Sequence, residues 1–459
     1  MPAFSDVVVL LPGITGSVLV NKAGHDIWAP SASAVWRAIT SFGHSVEGLE
    51  LSADCSDDGV TAPRLVRDVT IVPGLIKIDG YSRISEYLVR QLGLVERENF
   101  FPFPYDWRLD NRVNAEHLKT FALDTLRAWR IASGNADAKL VLIGHSMGGL
   151  IARYFVECLG GWTDTHRLLT LATPHRGSLN AVSFLEQGMK KGIGPFGVDL
   201  SPMLRSLPSV YQLLPTYPCV RVDGGDMQRI VAAAESGALP HVDAKRALEA
   251  RAFHQAIQDA QATNATIDAY RAHGPSLVPV VGIEQPTVQS VQVARGVLTL
   301  LQSYDGEDMG GDGTVPRVSG TPIERSDAAR EVYAAETHGA IQNADGTLAN
   351  LHGVLTRDAL DLRRFQRASD AATLTLALDD VVMPGDALVV RARASDGNAK
   401  LQVTLTPLAG GVVVEDTLMR DGNDGWQRGD FALTGGAWRV TAHANGATSV
   451  SDLVIVASA

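Results

Sequence analysis

A serine set between glycines, Gly144-His145-Ser146-Met147-Gly148, is the residue in this sequence most suggestive of a nucleophile. A serine hydroxyl attacks carbon poorly unless an imidazole takes its proton and a carboxylate orients that imidazole. The downstream sequence supplies both residue types. Aspartates cluster in "YDGEDMGGDGTVP" as Asp305, Asp308 and Asp312, and histidines follow at His338 in "AETHGAIQN" and His352 in "NLHGVLTRDAL". The order serine, aspartate, histidine is the one that strand-to-helix nucleophile turns use. Asp312 is the expected acid, because Gly311 and Gly313 let the turn hold a carboxylate against an imidazole; Asp308 is the alternative. A solvated turn or a calcium loop is the plainer reading of the same cluster. His338 is the expected base, on a loop-like stretch. His352, at the start of an expected helix, is the alternative and otherwise a surface or capping residue. A tetrahedral oxyanion needs two fixed N–H donors. Met147, the residue after the serine, is one candidate, and Ile14 in "LLPGITGS" is the other.

Gly-x-Ser-x-Gly alone is weak evidence in a chain with 44 glycines. Its flanks carry more. Lys139 to Ile143 is a short apolar run of the kind that forms a buried parallel strand. After the serine, Met147, Leu150, Ile151, Tyr154, Phe155, Cys158 and Leu159 fall on one helical stripe, and Gly160-Gly161 ends it. The serine therefore sits where a strand turns abruptly into a helix, beside free N–H groups of the first helical turn. A merely capping serine in a tight turn is the competing reading.

Other segments repeat this strand–helix rhythm. Asp6–Gly13, Phe100–Tyr105, Leu168–Ala172 and Val278–Gly282 read as strands, while Tyr81–Leu92 and Ala115–Ile131 read as helices. In the first helix Ile84, Tyr87, Leu88 and Leu92 share a face. Alternation of this kind predicts a mostly parallel sheet with helices on both faces. Two intervals break it: residues 31–70, and a cap or lid insertion at about 178–276. Near Ser369 the composition changes. Seven short β-rich runs follow, from "TLTLAL" to "SDLVIVA", separated by turns such as Pro384-Gly385-Asp386. They predict an antiparallel β-sandwich over residues 369–459, after an α/β domain over residues 1–368.

The remaining composition narrows the function classes. With 459 residues, two domains are the expectation. A hydrophobic fraction of 45% and a charged fraction of 20% are ordinary for a globular protein. The net charge of −11 argues against nucleic acid and against electrostatic docking on anionic membranes, though not against brief contact with lipid through an apolar lid. The start lacks the pattern of a signal peptide. The three cysteines, Cys55, Cys158 and Cys219, are widely spaced. Cys158, on the apolar stripe, is expected to be a buried free thiol, and a cytoplasmic setting is expected. No zinc-ligand spacing or phosphate loop is present, so neither metal nor cofactor is expected. His145 is expected to face away from the site and to be structural. His175, in "TPHRGS", is expected to brace the turn.

The segments "VVLLPGITGSVL", "FPYDWRLDNR", "LIGHSMGGLIARYF", "LLTLATPHRGS", "LPSVYQLLP" and "GDGTVP", followed by a histidine, resemble the lecithin:cholesterol acyltransferase family in residues and in order. That family includes lysosomal phospholipase/acyltransferases and phospholipid:diacylglycerol acyltransferases. The resemblance covers roughly residues 6–365 and implies an α/β-hydrolase fold. Position by position, it puts the nucleophile at Ser146, the acid at Asp312, the base at His338 and the oxyanion donors at Ile14 and Met147. Asp106, Trp107 and Arg108 match a "YDWR" loop that reads as a packed brace. The family's secreted members carry a signal peptide and disulfides, the lid here is poorly matched, and the animal enzymes lack the C-terminal β-domain. The implied function is cleavage of lipid esters by a serine lipase, phospholipase or acyltransferase through an acyl-enzyme, with hydrolysis favoured. The competing readings are a small-ester carboxylesterase and an inactive hydrolase-fold binding or targeting protein. The implied partners are a lipid or phospholipid ester substrate and, for the C-terminal domain, another protein or domain.

Overall fold

The computed structural model describes residues 4–29, 49–52, 58–67, 70–72, 76–191, 198–325, 331–356, 373–395, 399–422, 424–445 and 447–457. Cys55, most of the early irregular insert and the expected domain boundary at 368/369 lie outside the described residues.

Six parallel strands make the central sheet: β1 (Val7–Leu11), β2 (Phe100–Pro102), β3 (Leu140–His145), β4 (Thr165–Leu171), β5 (Ser276–Gly282) and β6 (Val332–Ala334). Their spatial order is β6-β5-β4-β3-β1-β2. The chain runs outward from β1 to β2, then returns past β1 to β3 and continues the other way. Such a reversal opens a crevice beyond the carboxyl ends of the two strands that flank it, here β1 and β3. β6 was not anticipated, because three residues are too few to show a period. Every residue of β1 and β3 is buried, so both read as unbroken apolar runs. Their alternation still matters, because it divides the core. Val7, Val9, Leu11, Leu140 and Leu142 face one layer, whereas Val8, Leu10, Val141 and Ile143 face the other.

The helices that cover the sheet are α1 (Ser82–Leu92), α2 (Asn111–Ser133), α3 (Met147–Cys158), α4 (Leu179–Glu186), α5 (Ala244–Asn264) and α6 (Asp345–Thr356). α1 buries Ile84, Leu88 and Leu92, and Tyr87 only rests against that cluster. α2 starts at Asn111, earlier than its apolar pattern, because the Asp110 carboxylate caps it by accepting the Arg112 N–H. α1 and α6 lie on one face of the sheet. On the other, α2 and α3 supply Leu118, Leu126, Ile151 and Phe155. α5, in the interval expected to form a cap, packs through Phe253 and Ile257 on Leu150 of α3. Cys158 is a free thiol but only partly buried, donating to the Ala256 carbonyl on α5. Among the described residues, no helix is long and apolar enough to cross a membrane.

The described strands between residues 374 and 456 form two further sheets. One is ordered β7 (Leu374–Leu378), β9 (Leu388–Ala394), β13 (Trp426–Phe431) and β12 (Met419–Arg420); the other β8 (Val381–Val382), β15 (Val450–Val456), β14 (Gly436–His443), β10 (Gln402–Pro407) and β11 (Val414–Thr417). Leu374, Val390, Val403, Val440 and Val454 meet in one core between them. The sandwich differs from expectation in two details. The run "GVVVEDTLM" is divided between the sheets, with the buried Leu418 at the crossing. The β8–β15 pair is parallel.

Candidate active site

The turn after β3 is tight for a reason visible in its glycines. A Cβ on Gly144 would stand 2.6 Å from the Gly149 backbone, and one on Gly148 would overlap the Pro12 carbonyl oxygen. Neither neighbour is a side chain that can swing aside. Ser146 has φ 51° and ψ −124°, a conformation that strains any residue with a Cβ. Its N–H is anchored on the Leu171 carbonyl at the end of β4, at 2.8 Å. The strain is held by the sheet, and it lifts the hydroxyl out of the turn.

Ser146 Oγ lies 2.9 Å from Nε2 of His338, and Nδ1 of His338 lies 2.8 Å from Oδ2 of Asp312. Asp312 is 1% exposed, and its other oxygen accepts the Thr314 and Val315 N–H groups at 2.9 and 2.6 Å. A carboxylate only accepts, so Nδ1 carries the imidazole proton and Nε2 presents its lone pair to the serine hydroxyl. The Asp312 carbonyl also accepts the His338 N–H at 2.8 Å, so this one residue orients both backbone and ring. The structure thus brings together Ser146, Asp312 and His338, whose sequence positions span 192 residues. The alternatives lie elsewhere. Asp308 accepts from Gln289 and from the Gly310 N–H. His352 sits well inside α6 rather than at its start.

Ile14, just past the β1 turn, lines the cavity over Ser146. Met147 is the first residue of α3, where an N–H has no partner within the helix. Neither N–H has an acceptor among the described residues. The "YDWR" loop grips the loop that carries Ile14. The Tyr105 hydroxyl donates to the Pro12 carbonyl, and Trp107 Nε1 donates to that of Ser17. Trp28 meets Trp107 edge to face at 5.3 Å and donates to the Thr15 carbonyl. Beneath them the buried Arg108 guanidinium bridges Asp106 and Asp58. Burial works against its charge, but the two carboxylates more than offset this and hold its pKa above the usual value.

His145 departs from expectation, because it does not turn away from the site. The Gly13 N–H donates to the Tyr81 hydroxyl at 2.7 Å, that hydroxyl meets His145 Nδ1 at 2.8 Å, and His145 Nε2 meets the His338 carbonyl at 3.0 Å. The hydroxyl proton is left for Nδ1, so His145 carries its own proton on Nε2. Burial, reinforced by the neighbouring His338, pushes its pKa down to about 3, so it stays neutral and locks the base loop to the β1 turn. His175 bonds the Thr170 hydroxyl through Nε2 and reinforces the end of β4 rather than touching Ser146. Tyr81 escaped the sequence reading, since a lone tyrosine before a helix has no distinguishing spacing.

A cavity of about 410 Å³ opens over these groups. Trp28, Trp107, Met203, Leu207 and Val210 give it an apolar wall. Among the described residues, no cluster of histidine, cysteine, aspartate or glutamate could hold a metal ion. A hydroxyl, an imidazole with a free lone pair and an oriented carboxylate beside an apolar cavity can together attack an electrophilic carbonyl that carries a long apolar substituent.

Residues 73–272 match the lecithin:cholesterol acyltransferase family model. The resemblance to the lecithin:cholesterol acyltransferase family read from the motifs is borne out over that stretch. It holds Ser146, the "YDWR" loop and "TPHRGS", while Ile14, Asp312 and His338 fall outside it. The chain is 28% identical over 234 residues to lecithin-cholesterol acyltransferase-like 4 of Arabidopsis thaliana, covering 45% of this chain and 42% of that one. It is 27% identical over 183 residues to phosphatidylcholine-sterol acyltransferase of Gallus gallus, covering 35% and 42%. The match thus spans about two fifths of the length of these curated relatives. Among solved structures, lipase BlEst2 of Bacillus licheniformis in its mature form aligns at 12% identity and TM-score 0.31, over 77% of this chain and 93% of that one. Phospholipase PlaB from Legionella pneumophila aligns at 9% identity and TM-score 0.35, over 98% and 90%. The α/β-hydrolase fold is carried by the strand order and the turn at Ser146 rather than by these likenesses.

Proposed function

We propose that this protein cleaves lipid-like carboxylic esters through a covalent acyl-serine. The observation that carries the reading is the chain of two short hydrogen bonds, Ser146 to His338 to Asp312, built on a strained turn at the switch point of the sheet. His338 takes the serine proton as Oγ attacks the ester carbonyl, and Asp312 stabilises the imidazolium. The N–H groups of Ile14 and Met147 receive the oxyanion. His338 then protonates the leaving alkoxide, activates a water, and the acyl group leaves as a carboxylate. The apolar cavity wall and the family match favour a lipid acyl group over acetyl. Hydrolysis is the favoured outcome. Transfer to an alcohol is the second reading, supported by the acyltransferases among the relatives.

The test is direct. Purified Ser146→Ala should lose ester hydrolysis by at least about 10³-fold while keeping its melting temperature. A fluorophosphonate should label the wild-type chain on Ser146 and fail to label His338→Ala. Activity retained by a folded Ser146→Ala protein overturns the reading. Mass spectrometry of the products from mixed phospholipids, with and without added alcohol, separates hydrolysis from transfer.

A further inference from the structure

The C-terminal sandwich is joined to the loops that carry the candidate triad. Among the described residues, its strand β7 is an edge of its sheet, with β9 as its neighbour. An edge strand leaves main-chain groups unpaired. Here the buried Gln285 covers them: its side-chain amide donates to the Leu374 carbonyl at 3.3 Å and accepts the Leu376 N–H at 3.5 Å. The Thr375 hydroxyl adds a bond to the Glu284 carbonyl at 2.9 Å. Gln285 is also bridged to the acid loop, its N–H donating to the Gly311 carbonyl at 2.9 Å, next to Asp312. On the base side, the Thr337 hydroxyl, next to His338, donates to the Ser451 carbonyl at 3.0 Å. Arg439 on β14 forms a bidentate ion pair with Asp79, whose N–H donates to the Gly339 carbonyl. Docked in this way, β7 presents Leu376, Ala377 and Leu378 to the cavity that holds Ser146.

We infer that the C-terminal domain is a wall of the substrate site, and that Ala377 and Leu378 set the length of acyl chain the site accepts. A module that served only to dock another protein would have no need to place apolar side chains in this cavity. The 178–276 interval supplies an apolar wall through Met203, Leu207 and Val210, and β7 faces it with Ala377 and Leu378, with Asp380 and Asp452 of the same domain at the polar end of the cavity. An acyl chain is the ligand chemistry these apolar residues fit, since apolar walls recognise length and little else. The inference rests on the proposed ester cleavage for its ligand class but makes a separate claim, that the determinants of length lie after residue 373.

The experiment uses full-length protein and two substitutions that add bulk on β7, Ala377→Phe and Leu378→Trp. Leu376 is avoided because it belongs to the core of the sandwich. Leu378 is partly buried against that core, so Ala377→Phe is the primary variant and Leu378→Trp the second. p-Nitrophenyl butyrate and palmitate serve as short and long probes. The expected result is a fall of about tenfold or more in the palmitate-to-butyrate ratio of kcat/KM, with the melting temperature of Ala377→Phe unchanged. An unaltered ratio in both folded variants overturns the inference while leaving the esterase reading intact. If the wild-type chain is inert toward every ester, the esterase reading fails, and binding of cis-parinaric acid decides the wall on its own. Weaker binding in Ala377→Phe supports it, and equal binding overturns it.

Discussion

Tyr81 shows how a single hydroxyl can be worth more to the site than its position suggests. It accepts from Gly13 on the β1 turn and donates to His145, which in turn reaches the carbonyl of His338. Tyr81→Phe leaves the Gly13 N–H and His145 Nδ1 buried without partners, a loss of about 1–3 kcal/mol in a urea unfolding curve. The same change frees the loop that holds the Ile14 N–H, so kcat should fall about tenfold or more while KM for a short ester holds. An unchanged kcat would show that Gly13 is fixed by its other contacts. Ser146 was legible in the sequence through the apolar run before it and the helical stripe after it, and Asp312 and His338 through the glycines beside them in loop-like segments. Tyr81 was not, because its partners are 68 and 64 positions away and only the sheet order brings them near. The misreading of His145 has the same origin. A residue beside the serine shows its face only once the base loop has been folded over it.

The turn between β3 and α3 depends on backbone clearance. Gly148→Ala forces a methyl group against the Pro12 carbonyl, on a loop already pinned by Tyr105 and Trp107. Its cost should reach the upper end of the about 1–3 kcal/mol typical of over-packing, seen as a lower melting temperature and loss of fluorophosphonate labelling together. A normal melting temperature would mean that the Pro12 loop can retreat. Strand and helix types were legible at this scale wherever the apolar period ran for several turns, as in α3. They were lost where an element is short, as in β6. α5 lies in the interval expected to form a cap, and its helical pattern does not say what it packs against. Phe253 and Ile257 meet Leu150 only through the tertiary fold.

At the scale of the whole molecule, the two domains meet around a half-buried acid. Glu336 lies two residues before His338 and accepts from the Ser451 backbone of the sandwich. Burial pushes its pKa up to about 8, with Asp345 and Asp79 reinforcing the rise and Arg439 opposing it. Between about pH 4.5 and 8 the folded chain therefore holds a proton that the unfolded chain has released. Stability falls as pH rises through that window and levels off above it. Glu336→Gln removes the proton exchange, so melting temperatures of variant and wild type should diverge in the variant's favour from pH 5 to pH 8. A constant difference would show that Glu336 ionises freely in the folded protein. The sequence announced the sandwich through its alternating runs and turns, but not its docking, because Gln285, Thr375 and Arg439 are ordinary residues until their partners are known. The way Gln285 completes the edge of β7 also bears on biosynthesis. Ser146, Asp312 and His338 leave the ribosome before residue 374 does, so in the proposed reading the nascent α/β domain holds these three residues before β7 lines their cavity. Closure by β7 would then be a late step of maturation, and the range of ligands that fit the cavity would narrow as the chain finishes folding.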